Sequence, residues 1–438
     1  MTTDVSHLRT RFRWVICFII FLATAIIYMD RQILSLLFPL LEEKFKWSHT
    51  DYALLNAWYQ GGYAVGLLGF GWLIDRLGIK MGYGMSLFFW GIAAACHALV
   101  VSIAGALGVS VFSTLKGLRA FLGVSEGGNF PAAIKTVGQW FPKTERAFAT
   151  SMLNSGANVG ALFAPAIVTW LVYNFCWQAP FAVASMAGFV WVGIWWLVYS
   201  SPKEHSWVSS MELTYITEDG EQTPAPAKER SSWIGFLRFR ATWAYIAGKF
   251  MTDPVWYFYL TWLPDFFKKT RGLDLKNSWP HLVTIYAIIT ALSLVGGWFT
   301  GHLMRLNWSV TASRKTGLFC FALLVLPIVF VADAGDWTAV MLIGLAGAAH
   351  QAWSANLFTT VSDMFPNRAV ASVVGIGSMA GCVGSIVFQL FCGHTLDNAG
   401  ASGAHQSYAL LFGYCSGAYL LAFLIHHLLV PKFKQITC

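Results

Sequence analysis

The amino-acid sequence predicts an all-α polytopic membrane protein, with twelve transmembrane helices in two pseudo-symmetric halves of six. Three observations carry this expectation. Of the 438 residues, 56% are hydrophobic and only 11% charged, where soluble domains carry about a quarter charged residues. Apolar runs of about 20 residues, the length of helix that crosses a bilayer, recur along the whole chain. Two motifs of the first half also return in the second at nearly one spacing.

The spans fall at 12–38, 51–74, 82–102, 108–134, 147–172, 178–200, 241–264, 281–304, 315–333, 337–361, 370–393 and 406–430. The first, "RTRFRWVICFIIFLATAIIYMDR", has the basic flank and apolar stretch of a signal peptide. It is too long for one, lacks a small-residue cleavage site and precedes eleven more spans, so it reads as a retained helix. The fourth span is the least distinct. Residues 201–240 break the apolar pattern with charge, Pro and Ser and are expected to be a cytoplasmic linker between the halves 1–200 and 241–438. With the N-terminus inside, 19 of the 29 Lys and Arg residues fall on the cytoplasmic side and six outside. That asymmetry matches the positive-inside rule and predicts both termini in the cytoplasm. The net charge of +8 is then topological, and nucleic acid is not an expected partner. The eight Cys, Cys17, Cys96, Cys320 and Cys382 among them, show no metal-ligand spacing and read as small apolar residues.

The halves resemble each other. "WFPKTERAFATSMLNSGANVGALFAP" from Trp140 is echoed by "MFPNRAVASVVGIGSMAGCVGSIVF" from Met364, an offset of 224. "GWLIDRLGIK" from Gly71 is echoed by "GWFTGHLMR" from Gly297, an offset of 226. Two matches at nearly one offset indicate duplication, which relates the halves by a parallel pseudo-twofold axis.

An ionisable residue at the centre of a span costs roughly 2.5 to 3.5 kcal/mol on insertion scales, so such residues face a cavity or one another. Asp30 and Arg31 lie in the first span, Lys116, Arg119 and Glu126 in the fourth, Lys249 and Asp253 in the seventh. The tenth has no charge but carries "HQAWSANLFTT", with His350, Gln351, Ser354 and Asn356. Every third helix is thus marked, a pattern that a shared central, water-accessible cavity explains economically. Arg119 and Glu126 are seven residues apart, about 10 Å of rise and nearly one helical face. The carboxylate suits a group that holds or loses a proton according to what occupies the cavity, and the guanidinium offers a planar fork to an anionic substrate. Asp30 and Arg31 are adjacent, so their side chains diverge by about 100° and two separate roles are expected. For each pair the plainer reading is a polar contact that ties helices together.

Tyr28 and Tyr63 are expected near substrate, where a phenol bonds sugar hydroxyls and its ring stacks on an apolar sugar face. Gly156, Gly160 and Ala164, in "NSGANVGALFAP", have the small-residue spacing of a close helix contact, with Asn158 as an additional polar candidate. Most aromatic residues of "WYFYLTW", from Trp256, are expected to face lipid or its interface. At the end of the second span, Gly71 and Gly78 permit close backbone approach and a tight turn, and Asp75 and Arg76 supply inter-helix contacts that would break as the bundle rocks. No phosphate-cradling loop and no cytoplasmic ATPase-sized segment occur, so transport would draw on an ion gradient, without a cofactor. No nucleophile, base and orienting group converge, nor any metal ligand set, so an enzyme is not expected.

"YMDR", "GWLIDRLGIK", "RAFLGVSEGGNFPAAIKTVGQWFPKTERAFATS" and "HQAWSANLFTTVSDMFP" together resemble the anion:cation symporter family of the major facilitator superfamily, over nearly the whole chain. The likeness is strongest to bacterial hexuronate transporters and more distant to galactonate transporters and the animal sialin group. The resemblance implies the major facilitator fold and proton-coupled uptake of a sugar acid, such as galacturonate or glucuronate, across the bacterial inner membrane. It implies Arg31 and Arg119 at the substrate carboxylate, and Asp30 and Glu126 as proton carriers. The remaining substrate candidates are Tyr28, Tyr63, Asn158, Gln351, Ser354 and Asn356. In the expected cycle, protonation of Glu126 frees Arg119 for the substrate. The expected partners are the sugar acid, protons and the lipid bilayer, with the chain acting as a monomer. An aldonate carrier, a drug or metabolite exporter and a non-transporting membrane sensor of the same fold are the alternatives.

Overall fold

The computed structural model describes residues 10–217, 233–398 and 400–436, and these residues contain helices and no strand. In chain order the helices are α1 (Phe12–Phe45), α2 (His49–Ala98), α3 (Val100–Leu107), α4 (Val111–Glu126), α5 (Asn129–Trp140), α6 (Lys143–Asn174), α7 (Ala179–Val198), α8 (Ser210–Ile216), α9 (Trp233–Phe236), α10 (Arg240–Arg271), α11 (Leu275–Arg305), α12 (Val310–Val325), α13 (Asp336–Met364), α14 (Asn367–Asn398) and α15 (Gly400–Leu429). A 3₁₀ turn over Leu326–Phe330 extends α12. Residues 218–232 of the expected linker lie outside the described residues; its preceding part contains α8.

Eight of the described helices are long and apolar enough to cross a membrane. The fifty-residue α2 accounts for the second predicted span and most of the third, separated by Gly78, whose φ of 80° and ψ of 168° interrupt the helix. Only glycine takes that conformation cheaply. The fourth predicted span corresponds to α4 and α5, which turn away from α3 by 116°. Among the described long helices, α10 and α13 are less apolar than the rest. They are the ones that carry Lys249, Asp253 and the His350 cluster.

The chain groups into two compact units. The first comprises Met1–Ile33, Gly62–Ala164 and Trp170–Glu229. Within it, bare backbone sets the helix contacts. A Cβ on Gly62 would come nearer than 3.0 Å to the carbonyl oxygen of Ala120, and one on Gly66 to that of Val124, so α2 lies directly on α4. Gly156 and Gly160 meet the backbone carbonyls of Phe21 and Ala25 in the same way, which seats α6 on α1. The start of α1 is capped from afar. Glu212, on α8 and fully buried, accepts the backbone N–H groups of Phe12 and Arg13, the Thr10 hydroxyl and the Arg13 guanidinium. It thereby satisfies donors that the first turn of a helix leaves without partners.

The second unit comprises Leu34–Gly61, Pro165–Thr169 and Arg230–Cys438. Its centre is α10, which packs against α13, α14 and α15. This corrects the expectation that the aromatics from Trp256 onward mostly face lipid: Phe258, Tyr259 and Trp262 are fully buried. A helix with neighbours on several sides has little surface left for lipid, and its aromatics become core. Trp262 donates to Gln389 at 2.7 Å, and the Tyr52 hydroxyl donates to the Thr261 carbonyl at 3.0 Å.

Candidate functional site

In the first unit, Asp30 and Arg31 follow one another on α1 and reach different partners. The Trp90 indole on α2 donates to Asp30 Oδ2 at 3.0 Å. Arg31 Nε donates to Glu126 Oε2 on α4 at 2.7 Å. Arg31 also lies over two rings, its guanidinium carbon 4.5 Å from the centre of Tyr28 and 4.8 Å from that of Tyr63. A guanidinium attracted by ring faces and by a carboxylate edge is held in plane. Arg119 is buried, and its charge, with those of Glu126 and Arg31, acts on Asp30. Two carboxylates and two guanidiniums therefore share one enclosed, low-dielectric neighbourhood.

The backbone places these groups. Helix α4 ends at Glu126 and α5 begins at Asn129, so the carboxylate sits at the junction through Gly127 and Gly128, whose backbone stays right-handed helical. A Cβ on Gly127 would meet the backbone of Gly66 and Leu67, which makes this junction a contact point with α2. Buried polar groups fill the surroundings: Ser86 donates to the Ser125 carbonyl at 2.6 Å, and Tyr83 to the Asn129 side chain at 2.6 Å.

The second unit holds its own polar cluster. Lys249 and Asp253 are paired at 2.7 Å on α10. Lys249 also lies 4.7 Å from the Phe358 ring, and Asp253 rests where a Cβ on Gly381 of α14 would displace it. His350 stacks on Trp256 with ring centres 5.2 Å apart and planes within 7°. Its Nδ1 lies 2.6 Å from the Tyr419 hydroxyl.

Among the residues expected at the substrate, Tyr28, Arg31, Tyr63 and Arg119 therefore fall in one unit with Asp30 and Glu126. Asn158, in the same unit, is half-buried on α6. Gln351 and Ser354 are half-buried on α13. Asn356 is buried and donates to the Arg314 carbonyl at 2.9 Å, a contact that ties α13 to α12. Glu126 pairs with Arg31 of α1 at 2.7 Å, so this guanidinium as well as that of Arg119 belongs to its surroundings. At the end of the second predicted span, exposed Asp75 pairs with Lys135 of α5 at 2.7 Å, and Arg76 lies over Trp72 at 4.2 Å. Gly78 makes the break there, whereas Gly71 has open space around it and no close backbone approach.

Trp90 and the Gly62, Gly66 and Gly127 contacts were not anticipated. Buried tryptophan indoles need an acceptor, but with 21 Trp in the chain nothing local marks Trp90 as the one for Asp30.

Residues 20–389 match the family model described as Major Facilitator Superfamily. The chain is 28% identical over 398 residues to the "Hexuronate transporter" of Escherichia coli (strain K12), covering 89% of each chain. It is 27% identical over 452 residues to the "Probable galactarate/D-glucarate transporter GarP" of the same organism, covering 99% of this chain and 98% of that one. Among solved structures, that of a D-xylose-proton symporter superposes with a TM-score of 0.74 at 14% identity, covering 97% of this chain and 100% of that one. At that identity the likeness is one of fold.

Proposed function

Because the chain belongs to the Major Facilitator Superfamily and is a multi-pass membrane transporter rather than an enzyme, we propose that it takes up a sugar acid, most specifically a hexuronate, together with protons. The observation that carries this reading is the enclosed pair of Arg31 and Glu126 beside Tyr28 and Tyr63. The sugar-acid class is supported by the names of the relatives.

The pair works as an exchange device. With Glu126 ionised, its carboxylate occupies Arg31. A proton on Glu126 removes the charge that holds the guanidinium, and Arg31 is then available to the carboxylate of the substrate, with Arg119 as the second cation. Tyr28 and Tyr63 offer ring faces and hydroxyls to the sugar. Loss of the proton to the cytoplasm returns Glu126 to Arg31 and displaces the substrate. Asp30, held by Trp90 and exposed to the same charges, is the second proton site. The driving energy is the proton gradient, with no cofactor, and the chain acts as a monomer in the bacterial inner membrane with both termini cytoplasmic.

The test is uptake of labelled galacturonate and glucuronate into proteoliposomes, with and without an imposed pH gradient, alongside an aldonate and an aldarate. Gradient-driven accumulation of a uronate is expected. Accumulation of neither uronate sinks the substrate assignment, and accumulation indifferent to the gradient sinks the proton coupling.

A further inference from the structure

A second group of ionisable side chains, within the second unit, has no part in that mechanism. Glu42 near the end of α1, His49 at the start of α2 and Asp265 on α10 each offer one ligand atom, all within 4.8 Å of one another. His49 Nε2 is 3.3 Å from Asp265 Oδ2 and 3.9 Å from Glu42 Oε1, yet it makes no hydrogen bond. Asp265 is 1% exposed, and its Oδ1 is buried without a hydrogen-bond partner, as is Glu42 Oε2. Buried polar atoms without partners are rare and costly. Here two occur on adjoining carboxylates, beside an imidazole nitrogen that faces both.

Each of the three groups is also held in place by a neighbour, His49 through its far nitrogen and the two carboxylates through the oxygens nearest His49. Asp397 on α14 lies 3.1 Å from His49 Nδ1 and also accepts the backbone N–H groups of His49 and Thr50. Tyr408 on α15 donates to Asp265 Oδ2 at 2.5 Å, and Lys269 on α10 donates to Glu42 Oε1 at 2.8 Å. A carboxylate on Nδ1 fixes the imidazole so that Nε2 presents its lone pair inward, the arrangement that supports a metal-bound histidine. The charges agree. Glu42, Asp265 and Asp397 stand against Lys269, since the neighbouring Glu43 and Lys268 pair with each other. With neutral His49 the cluster carries two surplus negative charges, which a divalent cation cancels and a single proton does not.

We propose that Glu42, His49 and Asp265 form a binding site for a divalent transition-metal cation. Nitrogen and carboxylate ligands at Zn²⁺ lie about 2.0 to 2.2 Å from the ion, so neighbouring ligand atoms come to rest about 3.3 Å apart. His49 and Asp265 already have that separation, and Glu42, 3.9 Å from His49 Nε2, closes the set by moving inward. The bound ion staples the ends of α1 and α2 to α10.

The test is isothermal titration of the purified full-length chain with Zn²⁺ alone. One ion per chain is expected at this site, bound at least tenfold more weakly by His49→Ala. Asp397→Asn is expected to weaken it about 10- to 100-fold, the usual loss when an outer carboxylate is removed. His302→Ala, which touches none of these groups, is expected to bind as the parent does. Hydrogen exchange of the unmodified chain gives a readout free of any variant: Zn²⁺ should slow exchange at 42–50 and 262–269. Absence of Zn²⁺ binding, equal binding by His49→Ala, or protection confined to other segments overturns the proposal.

Discussion

Arg31 and Glu126 meet at 2.7 Å from two different helices, with 6% and 0% of their side chains exposed. Removing one partner of such a pair leaves the other charge buried and uncompensated, which costs about 3 to 5 kcal/mol, whereas replacing both by apolar groups is often neutral. Glu126→Ala is therefore expected to lower the melting temperature clearly. The double variant Arg31→Met with Glu126→Leu should recover most of that loss while abolishing uptake. Thermal unfolding of the parent, Glu126→Ala and the double variant checks it, and a double variant no more stable than Glu126→Ala contradicts it.

Arg31→Lys keeps the charge but loses the planar group held over Tyr28 and Tyr63. Lysine neither forms the two-pronged contact with a carboxylate nor stacks in the same way. Apparent affinity for the transported anion is expected to fall about tenfold or more, on the scale of one charge-assisted hydrogen bond, with the folded chain retained. Binding measured by substrate-induced thermal shift decides this, and an unchanged shift removes Arg31 from the binding site.

Gly66→Ala and Gly69→Ala make a matched pair on α2. The new methyl group strikes the Val124 carbonyl at the first position and meets nothing within 4 Å at the second. Because α4 carries Arg119 and Glu126, Gly66→Ala is expected to reduce both stability and transport, and Gly69→Ala neither. Equal behaviour of the two would show that the contact between α2 and α4 does not position the site.

Trp90→Phe keeps an aromatic ring but removes the donor to Asp30 Oδ2. An unsatisfied buried acceptor costs about 1 to 3 kcal/mol. A fall in melting temperature together with slower uptake is expected, and parent-like values of both would make the hydrogen bond incidental.

Asp75 and Lys135 are paired in solvent, at 75% and 43% exposure. Exposed pairs contribute under about 1 kcal/mol, so Asp75→Asn should leave the melting temperature almost unmoved. Its effect should appear in the uptake rate, as expected of a contact that breaks during turnover. A marked loss of stability would assign the pair to structure.

Much of this was legible in the sequence because a bilayer penalises charge so heavily. Asp30, Arg31, Arg119 and Glu126 stand out in apolar runs without reference to any fold, and all four share one neighbourhood. Which acid meets which base was not legible, since that depends on the rotation of α1 against α4. The glycines at 62 and 66 seat α4 on α2 and those at 156 and 160 seat α6 on α1, and a glycine contact leaves no periodic signal distinct from the chain's many other glycines. The aromatics of α10 are ambiguous in the sequence for a related reason. Tyr and Trp are favoured both at a membrane interface and in a packed core, and only the neighbours of α10 separate the two. The His49 cluster was missed because Glu42, His49, Asp265 and Asp397 lie outside the predicted spans, where charge is ordinary.

The central claim is that protonation of Glu126 releases Arg31 and couples uptake to the gradient. Uptake and counterflow of labelled galacturonate in proteoliposomes, comparing the parent with Glu126→Gln, test it most directly. Glutamine resembles the protonated acid, so the variant is expected to exchange substrate across the membrane yet fail to accumulate it when a pH gradient is imposed. Accumulation by Glu126→Gln at the level of the parent would contradict the account.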